Sequence, residues 1–214
     1  MDTSFTLPTE RFKGFSDGVF AIAITLLVLK FALPQLPLKP TAQQEANALL
    51  VIWPQYLVYA IGFFTIGVMW LNHSAQFRYV EKITHGIAVA NLLLLFFVAF
   101  VPLPTAVLER FGLTRVAVGA LGLTLSAIAL SYLLLHLQVL AAHPSAKERW
   151  PVQNIVMILM YPILTLVAYF FSPIGALVGF ALLAVVAMLP HTVRATAATG
   201  RSAAESEGRL ETKR

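Results

Sequence analysis

Few residues of this chain are equipped for chemistry, and the clearest of them gather at two places. Ser16 and Asp17 stand at the head of one long apolar run, and Trp70, Asn72 and His73 stand at the tail of the next. A carboxylate beside an imidazole can hold or move a proton, and an ionisable group within an apolar run points to a functional site. Two readings of the first cluster stand. Ser16 or Asp17 could cap a helix, accepting from the free N–H groups at its positive end. Alternatively, Ser16, Asp17, Trp70 and His73 form one packed network that satisfies polar groups where lipid cannot. The second is favoured because two antiparallel helices would bring Asp17 and His73 to the same depth. Other chemistries are not signalled. His73, His85, His136, His143 and His191 are scattered without the spacing of a zinc site, and there is no cysteine for a disulfide, thiolate ligand or nucleophile. Asp17 is expected to be packed away, so neither an enzyme nor a cofactor or resident metal is expected.

The elements that must position these residues are membrane helices. Of 214 residues, 58% are hydrophobic and 12% charged, with mean hydropathy +0.79. An ordinary globular domain carries about 25% charged residues, so this chain cannot cover a water-soluble surface. Six apolar runs are expected as spans, at about 15–33, 49–71, 83–108, 113–140, 152–171 and 174–189. Each exceeds the roughly 9–11 residues of a barrel strand and none alternates, so the class is an all-α integral membrane protein. The first run lacks a small-residue cleavage site after it and reads as a permanent helix. Residues 1–190 form the membrane domain. Residues 191–214, rich in Ala, Thr, Ser, Glu and Arg, form a polar tail expected to be disordered.

Orientation follows from the basic residues. Arg11, Lys13, Arg78, Lys82, Lys147, Arg149 and the five in the tail give eleven on one side, against Lys30, Lys39, Arg110 and Arg115 on the other. The positive-inside rule places both termini in the cytosol. The net charge of +5 is thereby a topology signal, and nucleic acid is not an expected partner.

Within the first run, Ile22, Thr25, Leu26, Leu29 and Leu33 share one stripe at helical period. Asp17 lies five residues before Ile22, nearly on the opposite face at about 100° per residue. Thr25 could spend its hydroxyl on its own helix. Lys30 is expected to snorkel to the outer interface. Thr65-Ile66-Gly67-Val68-Met69 looks faintly like a potassium-filter loop, but it lies inside a continuous span without a pore helix before it. Gly175 and Gly179 allow close helix packing, and Pro54, Pro102, Pro104 and Pro162 are expected to bend or break helices.

The segment Arg11-x-x-x-Phe15-Ser16-Asp17-Gly18-Val19-Phe20-Ala21-Ile22-Ala23-Ile24-Thr25-Leu26-Leu27-Val28-Leu29 resembles the signature of the transmembrane protein 175 family, lysosomal and bacterial potassium channels without the usual pore loop. Trp70-x-x-His73-x-x-x-Phe77, the run from Asn91 to Phe97, and Pro102-Leu103-Pro104-Thr105 are similar to it in order. Spans four to six match only in number and hydrophobicity. The resemblance implies a homotetramer of six-helix chains in the bacterial inner membrane, with the first helices lining a central pore for potassium ions among membrane lipids. Ile22, Leu26 and Leu29 would form a hydrophobic constriction gated by dewetting, with Thr25 adding hydroxyls. Arg11 and Asn91 would join the polar network, Arg11 with no partner named. A weakly selective potassium channel is the leading expectation. A proton or non-selective monovalent-cation leak is the alternative, and a scaffold without transport is opposed only by the resemblance.

Overall fold

The structure is a computed structural model that describes residues 8–29, 34–78, 80–143 and 152–188. Its elements are α1 (Thr9–Val28), α2 (Ala42–Val51), α3 (Trp53–Phe77), α4 (His85–Phe100), α5 (Pro102–Phe111), α6 (Arg115–Ala142), α7 (Val152–Phe170) and α8 (Pro173–Met188). The described residues form an all-α fold. Three helical stretches are long and apolar enough to cross a membrane: Trp53–Phe77, His85–Phe111 and Arg115–Ala142.

Helix α1 begins six residues before the expected start, which places Ser16 and Asp17 mid-helix and removes the capping reading. The extension is held by side chains. Phe12 is buried and stacks on Phe77 at 5.8 Å between ring centroids. Lys13 Nζ meets Glu10 at 3.2 Å, and Thr9 Oγ1 donates to the Glu81 carbonyl at 3.0 Å. Glu10 also lies in the first turn, where an acid complements the helix dipole.

Two expected runs divide at prolines. Thr41 caps α2 through a capping box with Gln44, yet α2 buries none of its residues. Pro54 has no N–H for the Leu50 carbonyl and its ring clashes there, so the helix breaks at Ile52. The membrane-length helix is therefore displaced from the expected 49–71 to Trp53–Phe77. At the second break Pro102 leaves the Val98 carbonyl to Val101 N–H at 3.2 Å, and Thr105 Oγ1 donates to the Pro102 carbonyl at 2.8 Å. Helix α5 then stops at Gly112, whose φ of 69° is a left-handed conformation that favours glycine.

Helix α6 forms the centre, packed against α4, α5, α7 and α8, while α1 lies across α3 and α4. Glycines set the close approaches. A Cβ on Gly122 of α6 would meet Thr165 Oγ1 and the Phe180 ring, and one on Gly179 of α8 would meet Leu164 at 2.6 Å. Helices α7 and α8 form the expected tight hairpin, with Ser172 Oγ accepting from Gly175 N–H at 3.0 Å. The Thr65–Met69 stretch is helical, interior to α3, in keeping with its rejection as a filter loop.

Candidate functional site: two faces of the first helix

Helix α1 has one face solved within its own chain. Phe12, Ser16, Phe20, Ala23 and Leu27, spaced by three or four residues, are buried against α3 and α4. In the middle of this apolar contact sit three polar side chains with almost no exposure: Ser16 at 0%, Asn91 of α4 at 0% and His73 of α3 at 1%. They form one chain of hydrogen bonds. Asn91 Nδ2 lies 2.9 Å from Ser16 Oγ, Asn91 Oδ1 lies 2.7 Å from His73 Nε2, and Ser16 Oγ lies 3.1 Å from the Phe12 carbonyl.

The direction of every proton follows from its end point. The Phe12 carbonyl can only accept, so the Ser16 hydroxyl donates to it and must accept from the Asn91 amide nitrogen. The Asn91 carbonyl oxygen then faces His73 and can only accept, so His73 carries a proton on Nε2. Aromatic rings hold that imidazole in place: Phe77 stacks on it at 4.4 Å and Phe20 lies tilted at 5.4 Å. Three helices are thus tied together by groups whose donors and acceptors match, in surroundings where an unmatched one is costly.

Asp17 stands apart from this chain and is exposed. The expected Asp17–His73 pair is not formed. Asp17 Oδ1 instead accepts from Trp70 Nε1 at 2.7 Å, a second tie between α1 and α3. The reason is rotational. Asp17 lies about 100° around the helix from Ser16, so only Ser16 points between α3 and α4, while Asp17 reaches the flank of α3. Of the expected network, Ser16, Asn91 and His73 are joined, and Asp17 and Trp70 make a separate pair. Arg11 joins neither. It is exposed, and eleven residues before Ile22 it falls on the same side as that residue.

The remaining face of α1 is left exposed by the described residues. Ile22 is 60% exposed, Leu26 39% and Leu29 73%, and Thr25 is exposed between them. The Thr25 hydroxyl donates to the Ile22 carbonyl at 3.0 Å. Its proton is engaged in the helix, which leaves the exposed hydroxyl oxygen as an acceptor. Leu33 and Lys30 lie outside the described residues, as does the 191–214 tail.

Two polar contacts were missed from the sequence. Gln76 Nε2 lies 3.0 Å from His136 Nδ1, joining α3 to α6, and Ser126 and Thr165 hydroxyls lie 3.2 Å apart between α6 and α7. Gln76 falls one turn after His73, which was a usable signal. Ser126 and Thr165 sit in featureless apolar runs that offered none.

Comparison with known proteins follows the same helices. The family described as the endosomal/lysosomal potassium channel TMEM175 matches residues 11–102, from Arg11 in α1 to Pro102 at the start of α5. A potassium channel of Chamaesiphon minutus is 47% identical over 103 residues, covering 48% of this chain and 50% of that protein. A potassium channel of Streptomyces collinus is 40% identical over 126 residues, 57% of this chain and 60% of that one. The endosomal/lysosomal proton channel TMEM175 of Rattus norvegicus is 37% identical over 108 residues, covering 48% of this chain and 22% of its own length. The match thus spans 50% to 60% of the length of these bacterial relatives. In three dimensions the likeness is fuller. The crystal structure of a lysosomal potassium-selective channel TMEM175 homolog from Chamaesiphon minutus superposes with TM-score 0.72 at 31% identity, over 85% of this chain and 98% of that one. With signature residues on both faces of α1 and a matching fold across nearly all of that structure, this chain belongs to the TMEM175 family of membrane ion channels.

Proposed function

We propose that this chain is the subunit of a potassium-permeable, weakly selective cation channel, a homotetramer in which the outward face of α1 lines a central pore. The observation that carries it is the unpartnered stripe of Ile22, Thr25, Leu26 and Leu29 on a helix whose other side is anchored by Ser16. One chain supplies one such helix, and closed symmetry supplies the others. Four apolar stripes facing one axis make a constriction that excludes water and ions until the helices part, which is gating by dewetting. Thr25, its proton committed to the Ile22 carbonyl, offers only acceptor lone pairs to a partly dehydrated cation. The names of the bacterial relatives support potassium as the ion.

In this reading residues 1–190 form a membrane domain of six spans: α1, α3, α4 with α5, α6, α7 and α8. Both termini are cytosolic in a bacterial inner membrane, and residues 191–214 form a cytosolic tail. The basic residues support that orientation. A second reading, a proton or non-selective monovalent-cation leak through the same pore, draws on the vertebrate relatives named proton channels. Reversal potentials of the reconstituted protein under potassium, sodium and proton gradients separate the two. A shift that follows potassium most closely is expected. A shift that follows protons alone transfers the assignment to the second reading, and no current from an intact tetramer removes both.

A further inference from the structure

A cavity of about 230 Å³ opens beyond the C-terminal end of α1, bounded by the start of α3 and by α5. It is smaller than the roughly 300–1,000 Å³ of drug-sized sites, so it suits a fragment-sized guest. Leu27, Val58, Leu108 and Leu113 give it apolar walls. Its polar lining includes the half-buried carboxylate of Glu109. That carboxylate has no basic partner among the described residues, where the one ion pair is Lys13 with Glu10. The neighbouring Arg110 forms no ion pair with it, and its guanidinium lies over the Phe111 ring, 5.9 Å from the centroid. Thr105, also in the lining, donates its proton to backbone carbonyls and presents its oxygen as an acceptor. An apolar chamber with a carboxylate that has no basic partner among the described residues, and with an acceptor hydroxyl, is complementary to a single positive charge on an apolar body.

We propose that this cavity is a binding site for a small organic ammonium ion, with Glu109 as counter-charge and the α1–α3–α5 walls around its apolar part. An anion would meet Glu109 unfavourably, and a neutral guest would leave the carboxylate uncompensated beside apolar surface. The site is separate from the outward stripe: Leu27 lines it from the buried face of α1, packed where a Cβ on Gly62 would meet it at 3.2 Å. It needs no channel activity to be tested.

The test is direct binding to the full chain in lipid nanodiscs, followed by ligand-observed NMR. The probes are 2-phenylethylammonium and the neutral alcohol of the same shape, 2-phenylethanol. Saturable binding of the ammonium is expected, about tenfold tighter than the alcohol, on the scale of one partly screened charge pair. Glu109→Gln removes that preference. Val51→Trp, at an exposed rim position, fills the chamber and abolishes binding of both probes while the helical circular dichroism stays unchanged. The proposal is overturned by equal affinity for the two probes, by absence of saturable binding, or by an ammonium preference that survives Glu109→Gln. Binding that survives Val51→Trp overturns it too, because the site then lies elsewhere. Should Glu109→Gln fail to fold, Val51→Trp and the alcohol comparison decide the matter. Failure of binding leaves the potassium reading intact.

Discussion

The two sides of α1 are built from the same stretch of sequence and differ in what completes them. On one side Ser16, Phe20 and Leu27 are buried, and the one strongly polar spot is closed by Asn91 and His73. On the other, Ile22, Thr25, Leu26 and Leu29 face outward, and the Thr25 hydroxyl turns its proton back onto the helix. The first side is finished by packing among the described residues, and the second is left exposed by them. A helix fastened at the back by matched hydrogen bonds can present its front to a changing environment without losing position. Stability and conduction are therefore expected to separate by face.

The most severe break in that separation is expected at Asn91. Asn91→Leu leaves the Ser16 oxygen and the His73 Nε2 proton unpaired where neither meets water, at a cost of about 2–4 kcal/mol. The thermal midpoint in detergent is expected to fall sharply, and ion preference among surviving channels to stay as it was. A stable Asn91→Leu protein with altered selectivity would place the buried chain in the conduction path. Ile22→Asn comes next. It puts an amide into the proposed apolar constriction, so conductance in liposomes is expected to rise several-fold, about 1 kcal/mol on the barrier scale, with the midpoint little changed. Unchanged conductance would show that the constriction lies at another residue.

Asp17→Ala removes the acceptor for Trp70 Nε1. Since both residues are accessible, water replaces part of that bond, and a loss of about 0.5–1.5 kcal/mol is expected. The readout is the midpoint together with the fraction of the proposed tetramer. A selectivity change with normal assembly would move Asp17 to the conducting side. Thr25→Val has the smallest expected effect on folding, within about 0.5 kcal/mol, because its hydroxyl bonds only its own helix. Conduction is where it should register, as a modest decrease. If Thr25→Val destabilises the protein more than Asp17→Ala does, the division of α1 into an anchoring and a conducting face is wrong.

Much of this division was legible in advance. Periodicity alone put Ile22, Thr25, Leu26 and Leu29 on one stripe and moved Asp17 off it. The depth argument brought the head of α1 beside the tail of α3, where Ser16, Asp17, Trp70 and His73 are found. The pairing within that group was not legible. Neighbouring helical positions differ by about 100° and 1.5 Å, and the choice between Ser16 and Asp17 as the residue facing His73 and Asn91 depends on how α1 is rotated against two other helices. No one-dimensional pattern carries that rotation. It is set by the burial of Phe12 and Phe20 and by their contacts with Phe77 and His73.

The sequence by itself determined the all-α membrane class, a net charge of +5, and an apolar helix with a polar head. These follow from composition and period, which survive without knowledge of any contact. Tertiary structure alone decided that the second run breaks at Ile52, that the third breaks at Val101, and that Glu109 borders a cavity without a basic partner among the described residues. The physical reason is the same for all three. Proline positions mark where a helix can be interrupted, and charge marks what must be solvated or paired. Whether an interruption occurs, and which charge is left without a partner, depends on the neighbours that packing brings to each residue.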